Sequence, residues 1–296
     1  MPMQRSRLSI SETAAVSRPG EGDAVADSLF GRFLEQTFSD FPVLRALRDR
    51  HPHLPLKGAR IGMLCPATGQ FTALAALLTA LGARVRYAAE GPGEIDNMVA
   101  FRAAGGLIFA NERRDAKGYW QVARTVIDWP DGGMPDLIID YDGRVARLVH
   151  RGVTIEADVS PVSADRDEAE IDQSLRLLRA TDHLSFSAVA TNVVGLSVCT
   201  ASGAASLRHI EATGGLLFPA MDVSLGRMPG PAPDPSHVAI DTLARLLARL
   251  VLAQIELFMN GAHYQPSLHR FPASLTMARF DLNAANEVSV AHPRNS

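Results

Sequence analysis

Between residues 60 and 140, short apolar runs alternate with longer segments of helical period. RIGMLCPA, RVRYAA, GLIFAN and DLIIDYDG have the length and residue types of strands, whereas FTALAALLTALG, EIDNMVAFRAAG and KGYWQVARTVIDW read as helices. This alternation predicts an α/β fold with a doubly wound, Rossmann-like and mostly parallel sheet, because parallel neighbours need a crossover helix between them. Gly82 and Gly105 stand where left-handed C-caps would end two of the helices. After a charged, irregular stretch around DRDEAEIDQSLRLLRATDH the pattern resumes with VVGLSVCTAS, GAASLRHIEATGG and LLFPAMDVS, a strand, a helix and a strand.

The pattern then breaks at GRMPGPAPDPS, residues 226–236, a proline and glycine linker that runs into HVAIDTLARLLARLVLAQIELF. Asp234 can cap this C-terminal helix with Pro235 in its first turn. Ile240, Leu243, Leu247, Leu250 and Val251 follow helical spacing, so one face is expected to pack on a core or on a partner subunit. Helix 238–258 carries more apolar positions than one face needs, which predicts a homodimer built partly on it. The chain is read as a flexible N-terminal arm over 1–25, a single domain formed by 26–225 and 237–296, and the linker between those two parts.

Composition narrows the function classes. A chain of 296 residues with 47% hydrophobic content can bury a sizeable core, and a net charge of -3 without a basic, aromatic-laced block argues against nucleic-acid binding. No apolar run reaches membrane-spanning length and the N-terminus lacks a secretory h-region, so a cytoplasmic protein with no membrane partner is expected. The two cysteines, Cys65 and Cys199, show neither metal spacing nor a disulfide framework. G-x-G-x-x-G, Walker A and H-E-x-x-H motifs are absent, so a nucleotide site would have to be built in another way.

Several segments, in order, resemble one enzyme family. FPVLRALRDR with PLKGARIGML is similar to its "MPGLM-x-R... PLKGARI", ATGQFTALAALLTALGARV to its "MT-x-[EQ]-TAVLIETL-x-LGAEV", and PDLIIDYDGRVARLVH to its "N-[ML]-ILDDGGDLT-x-L-[IV]H". VVGLSVCTASG resembles "I-x-G-[IV]-SEETTTG", LLFPAMDVS resembles "LK-[VF]-PAINVN", LVLAQIELF resembles "VLAQIELW" and HRFPASL resembles "HFLPKKLDE". The family is S-adenosylhomocysteine hydrolase, and the likeness spans most of residues 30–280. In that family the strand resembling LLFPAMDVS leads into a complete NAD-binding domain, which GRMPGPAPDPS replaces here, and no counterpart of the Lys/Tyr tail reaching a neighbour's NAD is seen. The resemblance therefore implies a free-standing adenosyl-substrate domain that uses no NAD, with extra residues between His150 and Gly195.

The same comparison sorts the site residues. Cys65 and Pro66 stand at the family's first catalytic histidine, Asp140 and Tyr141 at its aspartate pair with Asp142 following, and Cys199 at the second glutamate of "SEETTTG". Thr68, Gln70 and Thr200 match residues that face the adenosine, and His237 lies about where a histidine closes over the adenine. A Gln amide can read an adenine edge and hydroxyls suit a ribose. Cys199 would line the pocket, while Tyr141 and Asp142 are the candidates for orienting or deprotonating an acceptor. In their own right, Cys65 and Cys199 also read as small buried hydrophobes, Asp142 as a turn residue before Gly143, and His183 as a surface histidine. The family's route oxidises the ribose 3′-hydroxyl with NAD, and that chemistry belongs to the cofactor. Three readings remain: transfer of a methyl or other alkyl group from S-adenosylmethionine to a small-molecule acceptor; non-catalytic binding of adenosylhomocysteine or adenosine, including as a methyltransferase partner; and a non-redox lyase or hydrolase acting on a nucleoside or small acid.

Overall fold

The two apolar runs expected as strands at RIGMLCPA and DLIIDYDG form the centre of the sheet. A computed structural model describes residues 22–66, 68–90, 107–110, 116–129, 131–157, 175, 184–224 and 235–272. Its strands are β1 (Arg60–Pro66), β2 (Arg84–Glu90), β3 (Leu107–Ala110), β4 (Leu137–Asp140), β5 (Gly195–Val198), β6 (Ala220–Asp222) and β7 (Leu268–Arg270). They are ordered β3-β2-β1-β4-β5-β6-β7 and every described pair is parallel. The doubly wound α/β expectation therefore holds. β4 and β5 are buried at all positions and β1 at all but its ends, the pattern of parallel strands covered on both faces.

Two apolar layers cover the sheet. On one side lie α1 (Gly22–Asp40), α2 (Pro42–Arg50), α3 (Gly69–Ala80) and α8 (Pro235–Asn260). On the other lie α4 (Ala116–Ile127), α5 (Arg144–Glu156), α6 (Phe186–Asn192) and α7 (Ala201–Gly214). The segment FTALAALL of α3 has no polar face and is buried from Phe71 to Leu78, as expected of a helix enclosed on every side. α3 gives way at Leu81 and Gly82, whose φ of +100° confirms the glycine stop. Helix α1 already begins at Gly22, inside the segment read as an arm. The helix expected at EIDNMVAFRAAG, Gly105, His183, Asp234 and most of the 226–236 linker lie outside the described residues.

Pro235 opens α8 as its sequence suggests. Leu247, Ala248, Leu250 to Ala253, Ile255 and Leu257 are all buried in the chain's own core. The argument for a partner subunit drawn from this helix does not extend to those positions, which sheet and helices of the same chain cover. Within the layer, Gln254 Nε2 donates to Ser197 Oγ at 2.7 Å, a buried bond that fixes α8 on β5. β7 was not among the expected strands, because LHR is half-exposed and carries no apolar alternation.

His150 shows how the second layer is locked. Its Nδ1 donates to the Ala146 carbonyl at 2.7 Å and its Nε2 accepts the Leu217 amide at 2.9 Å, which requires the neutral ring. Burial pushes its pKa below the ordinary histidine value, with the Ala146 bond acting in the opposite sense. The unfolded chain therefore binds more protons than the folded one below about pH 6.5. Stability contributed by His150 is complete above that pH and is lost as pH falls toward the lowered folded pKa. Urea titrations at several pH values are expected to show an acid-side loss that is smaller in His150→Gln; equal losses in the two proteins would remove His150 as its source.

Candidate functional site at the C-terminal edge of the sheet

The order of the strands puts a switch point between β1 and β4. From β1 the chain crosses to α3 on one face of the sheet, and from neighbouring β4 it crosses to α5 on the other, so the loops after these strands diverge. Such a switch point at the carboxyl ends of parallel strands is where open α/β sheets take ligands.

Register decides which side chains meet there. Leu64 pairs with Asp140, Asp140 with Val198, and Val198 with Asp222. The next residues, Cys65, Tyr141, Cys199 and Val223, continue the ladder through the bonds Tyr141 N to Leu64 O (2.9 Å) and Val223 N to Val198 O (3.1 Å). All four belong to the layer of α3 and α8, so they form one row across β1, β4, β5 and β6. Tyr141 stands between the two cysteines. Cys65 and Cys199, neither in a disulfide, are two strand spacings apart, roughly 10 Å, beyond the reach of one another.

Above this row lies the start of α3. The Phe71 ring meets Tyr141 edge-on, with centroids 5.5 Å apart and planes at 89°. Thr68 occupies the N-cap position with extended backbone, yet its hydroxyl makes no capping bond. Its main chain is engaged: the amide donates to the Pro66 carbonyl at 2.9 Å, and the carbonyl accepts from Thr72 N at 3.1 Å and Thr72 Oγ1 at 3.0 Å. Gln70 follows in the first turn, half-buried. Among the described residues neither the Thr68 hydroxyl nor the Gln70 amide has a hydrogen-bond partner.

On the other side of the sheet the polar groups are already engaged. Asp140 is fully buried and accepts the Arg144 amide at Oδ1 and the Ala146 amide at Oδ2, both at 2.9 Å. It thereby satisfies the first turn of α5. Asp142 Oδ1 accepts from Thr200 Oγ1 at 2.7 Å and from Ser202 Oγ at 2.5 Å, and Oδ2 lies 3.8 Å from Arg144 Nε. The Thr200 hydroxyl also accepts the Gly203 amide at 2.9 Å, capping α7. This geometry depends on close backbone approach: Gly143 has φ +77°, and a Cβ on it would sit 3.1 Å from the Gly203 carbonyl oxygen.

The expected site residues therefore fall into two groups. Cys65, Tyr141 and Cys199 share the α3 side of the sheet, with Thr68 and Gln70 at the start of α3, while Asp142 and Thr200 meet on the α7 side. Tyr141 and Asp142, adjacent in sequence, do not share a pocket wall, because successive residues at a strand end turn to opposite faces. His237 falls in the first turn of α8, and its side chain is outside the described part of the structure. Ser202 and Arg144 were not anticipated, although a threonine between a strand and a helix, here Thr200, is a good N-cap. Among the described residues no cluster of metal-ligating side chains is present, and no helix is long and apolar enough to cross a membrane.

A sequence model described as S-adenosyl-L-homocysteine hydrolase matches residues 26–288. The chain belongs to the S-adenosyl-L-homocysteine hydrolase family. For a member of that family the NAD domain would lie between β6 and α8. Here β6 ends at Asp222 and α8 begins at Pro235, and the dozen residues between are fewer than the ~30 of a single βαβ unit. A complete NAD-binding domain does not fit in that interval. Of the positions matched to the family above, Thr68 and Gln70 stand at the start of α3, Thr200 caps α7, and Asp140 accepts from the first turn of α5 beside Tyr141.

Proposed function

We propose that this member of the S-adenosyl-L-homocysteine hydrolase family binds S-adenosylmethionine or S-adenosylhomocysteine without NAD, and transfers a methyl or other alkyl group to a small-molecule acceptor. The observation that carries the reading is the contrast at the sheet edge. Thr68 and Gln70, at the start of the helix whose Phe71 packs on Tyr141, present hydrogen-bonding groups with no partner among the described residues, whereas the carboxylates of Asp140 and Asp142 are bonded internally. Polar groups left open in a half-buried crevice are the ones a ligand satisfies.

In this reading the Gln70 amide donates to and accepts from the adenine edge, and the Thr68 hydroxyl meets the ribose. The sulfonium supplies its own activation. The acceptor's electron pair forms the new bond to the methyl carbon, the carbon–sulfur pair returns to sulfur, and the acceptor's proton leaves through the Tyr141 phenol or to water. Holding the acceptor in line is a positioning effect of roughly 7–11 kcal/mol. Asp142 Oδ1 is occupied by two hydroxyl donors, so Asp142 acts by holding the α7 loop. That same occupancy favours, as a second reading, a binding module without catalysis.

Calorimetry with S-adenosylhomocysteine is the first test. Binding is expected in the absence of NAD, and Gln70→Ala should weaken it by about 1–3 kcal/mol through the adenine bonds it removes. Absence of heat with either adenosyl ligand at millimolar concentration would end the adenosyl reading.

A further inference from the structure

The row that begins at Cys65 ends, at β6, beside a cation. Arg249 of α8 donates from Nη1 to the carbonyl oxygens of Val223 at 3.2 Å and Ser224 at 2.9 Å. Its guanidinium lies over the buried Phe271 ring, with Cζ 4.8 Å from the centroid. Two carbonyls and one ring therefore hold the group in place at the C-terminal end of β6, on the sheet face that carries Tyr141. Among the described residues no carboxylate forms an ion pair with it, and its Nε and Nη2 donate to no group there. Asp222 attracts it, yet Asp222 Oδ1 is engaged by the amide and hydroxyl of Ser224, at 3.0 and 2.5 Å, and Oδ2 lies 3.9 Å from Arg208 Nη1.

A guanidinium cannot escape this environment by losing its proton at ordinary pH. Burial pushes the Arg249 pKa below its usual value, and the Asp222 charge opposes the shift without cancelling it. An anion brought to this guanidinium gains a charge-assisted bond to a donor that is already oriented. Val223 lies two strands beyond Tyr141, roughly 10 Å along the row. An adenosyl ligand with its sulfur above Tyr141 and Cys199 can lay its aminobutyrate tail along that distance.

We propose that Arg249 is the carboxylate-binding group of the site and takes the amino-acid carboxylate of the adenosyl ligand; the assignment rests on the adenosyl reading above. It makes the site selective for adenosyl amino acids over bare nucleosides. The test compares S-adenosylhomocysteine with 5′-methylthioadenosine, which has the same nucleoside and thioether but no amino acid, in wild type and in Arg249→Gln. Wild type is expected to favour the amino acid form about ten-fold or more, and Arg249→Gln to erase the preference while leaving methylthioadenosine affinity unchanged. Because the substitution also releases the Val223 and Ser224 carbonyls, wild type is titrated in parallel with the carboxamide of S-adenosylhomocysteine, which should lose a similar factor. Equal affinities in wild type, or an equal loss of both ligands in Arg249→Gln, overturn the carboxylate assignment and leave the adenosyl reading standing. Binding of neither ligand by wild type overturns both. If the preference survives in Arg249→Gln, the carboxylate is held by another group and the assignment falls.

Discussion

Gly203→Ala is expected to destabilise the protein by about 2 kcal/mol and to separate the loop carrying Asp142 from the start of α7. A Cβ at this position would lie 2.4 Å from Val198 Cγ2, 2.8 Å from the Asp142 carbonyl carbon and 3.0 Å from its Cα. The first neighbour is a stiff β-branched side chain on a buried central strand, and the other two are main chain, so none can move aside cheaply. Alanine returns at most about 1 kcal/mol of helix propensity, less than the overpacking it introduces. Gly214 in the same helix is the control, since nothing lies within 4 Å of its Cβ direction. Gly214→Ala should leave stability unchanged or slightly raised. Urea unfolding of both variants decides the matter: a Gly203→Ala protein as stable as wild type would mean that the backbone contact between the two loops does not hold the site.

The strands were legible because parallel strands buried on both faces leave short continuous apolar runs, as in RIGMLCPA and DLIIDYDG, and glycine marks the helix stop at Gly82. The site was legible only in part. Thr68 and Gln70 follow directly from a strand into a helix, so their place at the edge could be read from local order. The row of Cys65, Tyr141 and Cys199 depends on the register of β1, β4 and β5, which is set by packing across as many as 128 intervening residues. Treating Tyr141 and Asp142 as a pair neglected the period of two at a strand end, which sends neighbours to opposite faces. Arg249 was hidden for another reason. In LARLLARLVLAQ an arginine on an apolar stripe reads as the rim of a buried face, and only the carbonyls of Val223 and Ser224 identify what holds it.

Turnover separates the two halves of the site. With labelled methyl groups on S-adenosylmethionine and a panel of acceptors, Tyr141→Phe is expected to lower kcat by about 10²-fold, the lower end of the range for proton transfer by a positioned side chain. KM for S-adenosylmethionine should hardly change, because Phe preserves the ring that packs on Phe71 and removes only the hydroxyl. Asp142→Asn is expected to behave differently. Its Oδ1 can still accept from Thr200 and Ser202, while the charge beside Arg144 and the start of α7 is lost, so the cost is stability of about 1 kcal/mol with a smaller fall in kcat. A larger kcat loss in Asp142→Asn than in Tyr141→Phe would place the proton acceptor on the α7 side of the sheet and reverse the assignment. If no label leaves S-adenosylmethionine with any acceptor or cell extract while the ligand still binds, the transferase reading falls. The internal bonds of Asp140 and Asp142 would then mark a domain that kept its adenosyl pocket and gave up the carboxylates that once worked beside it.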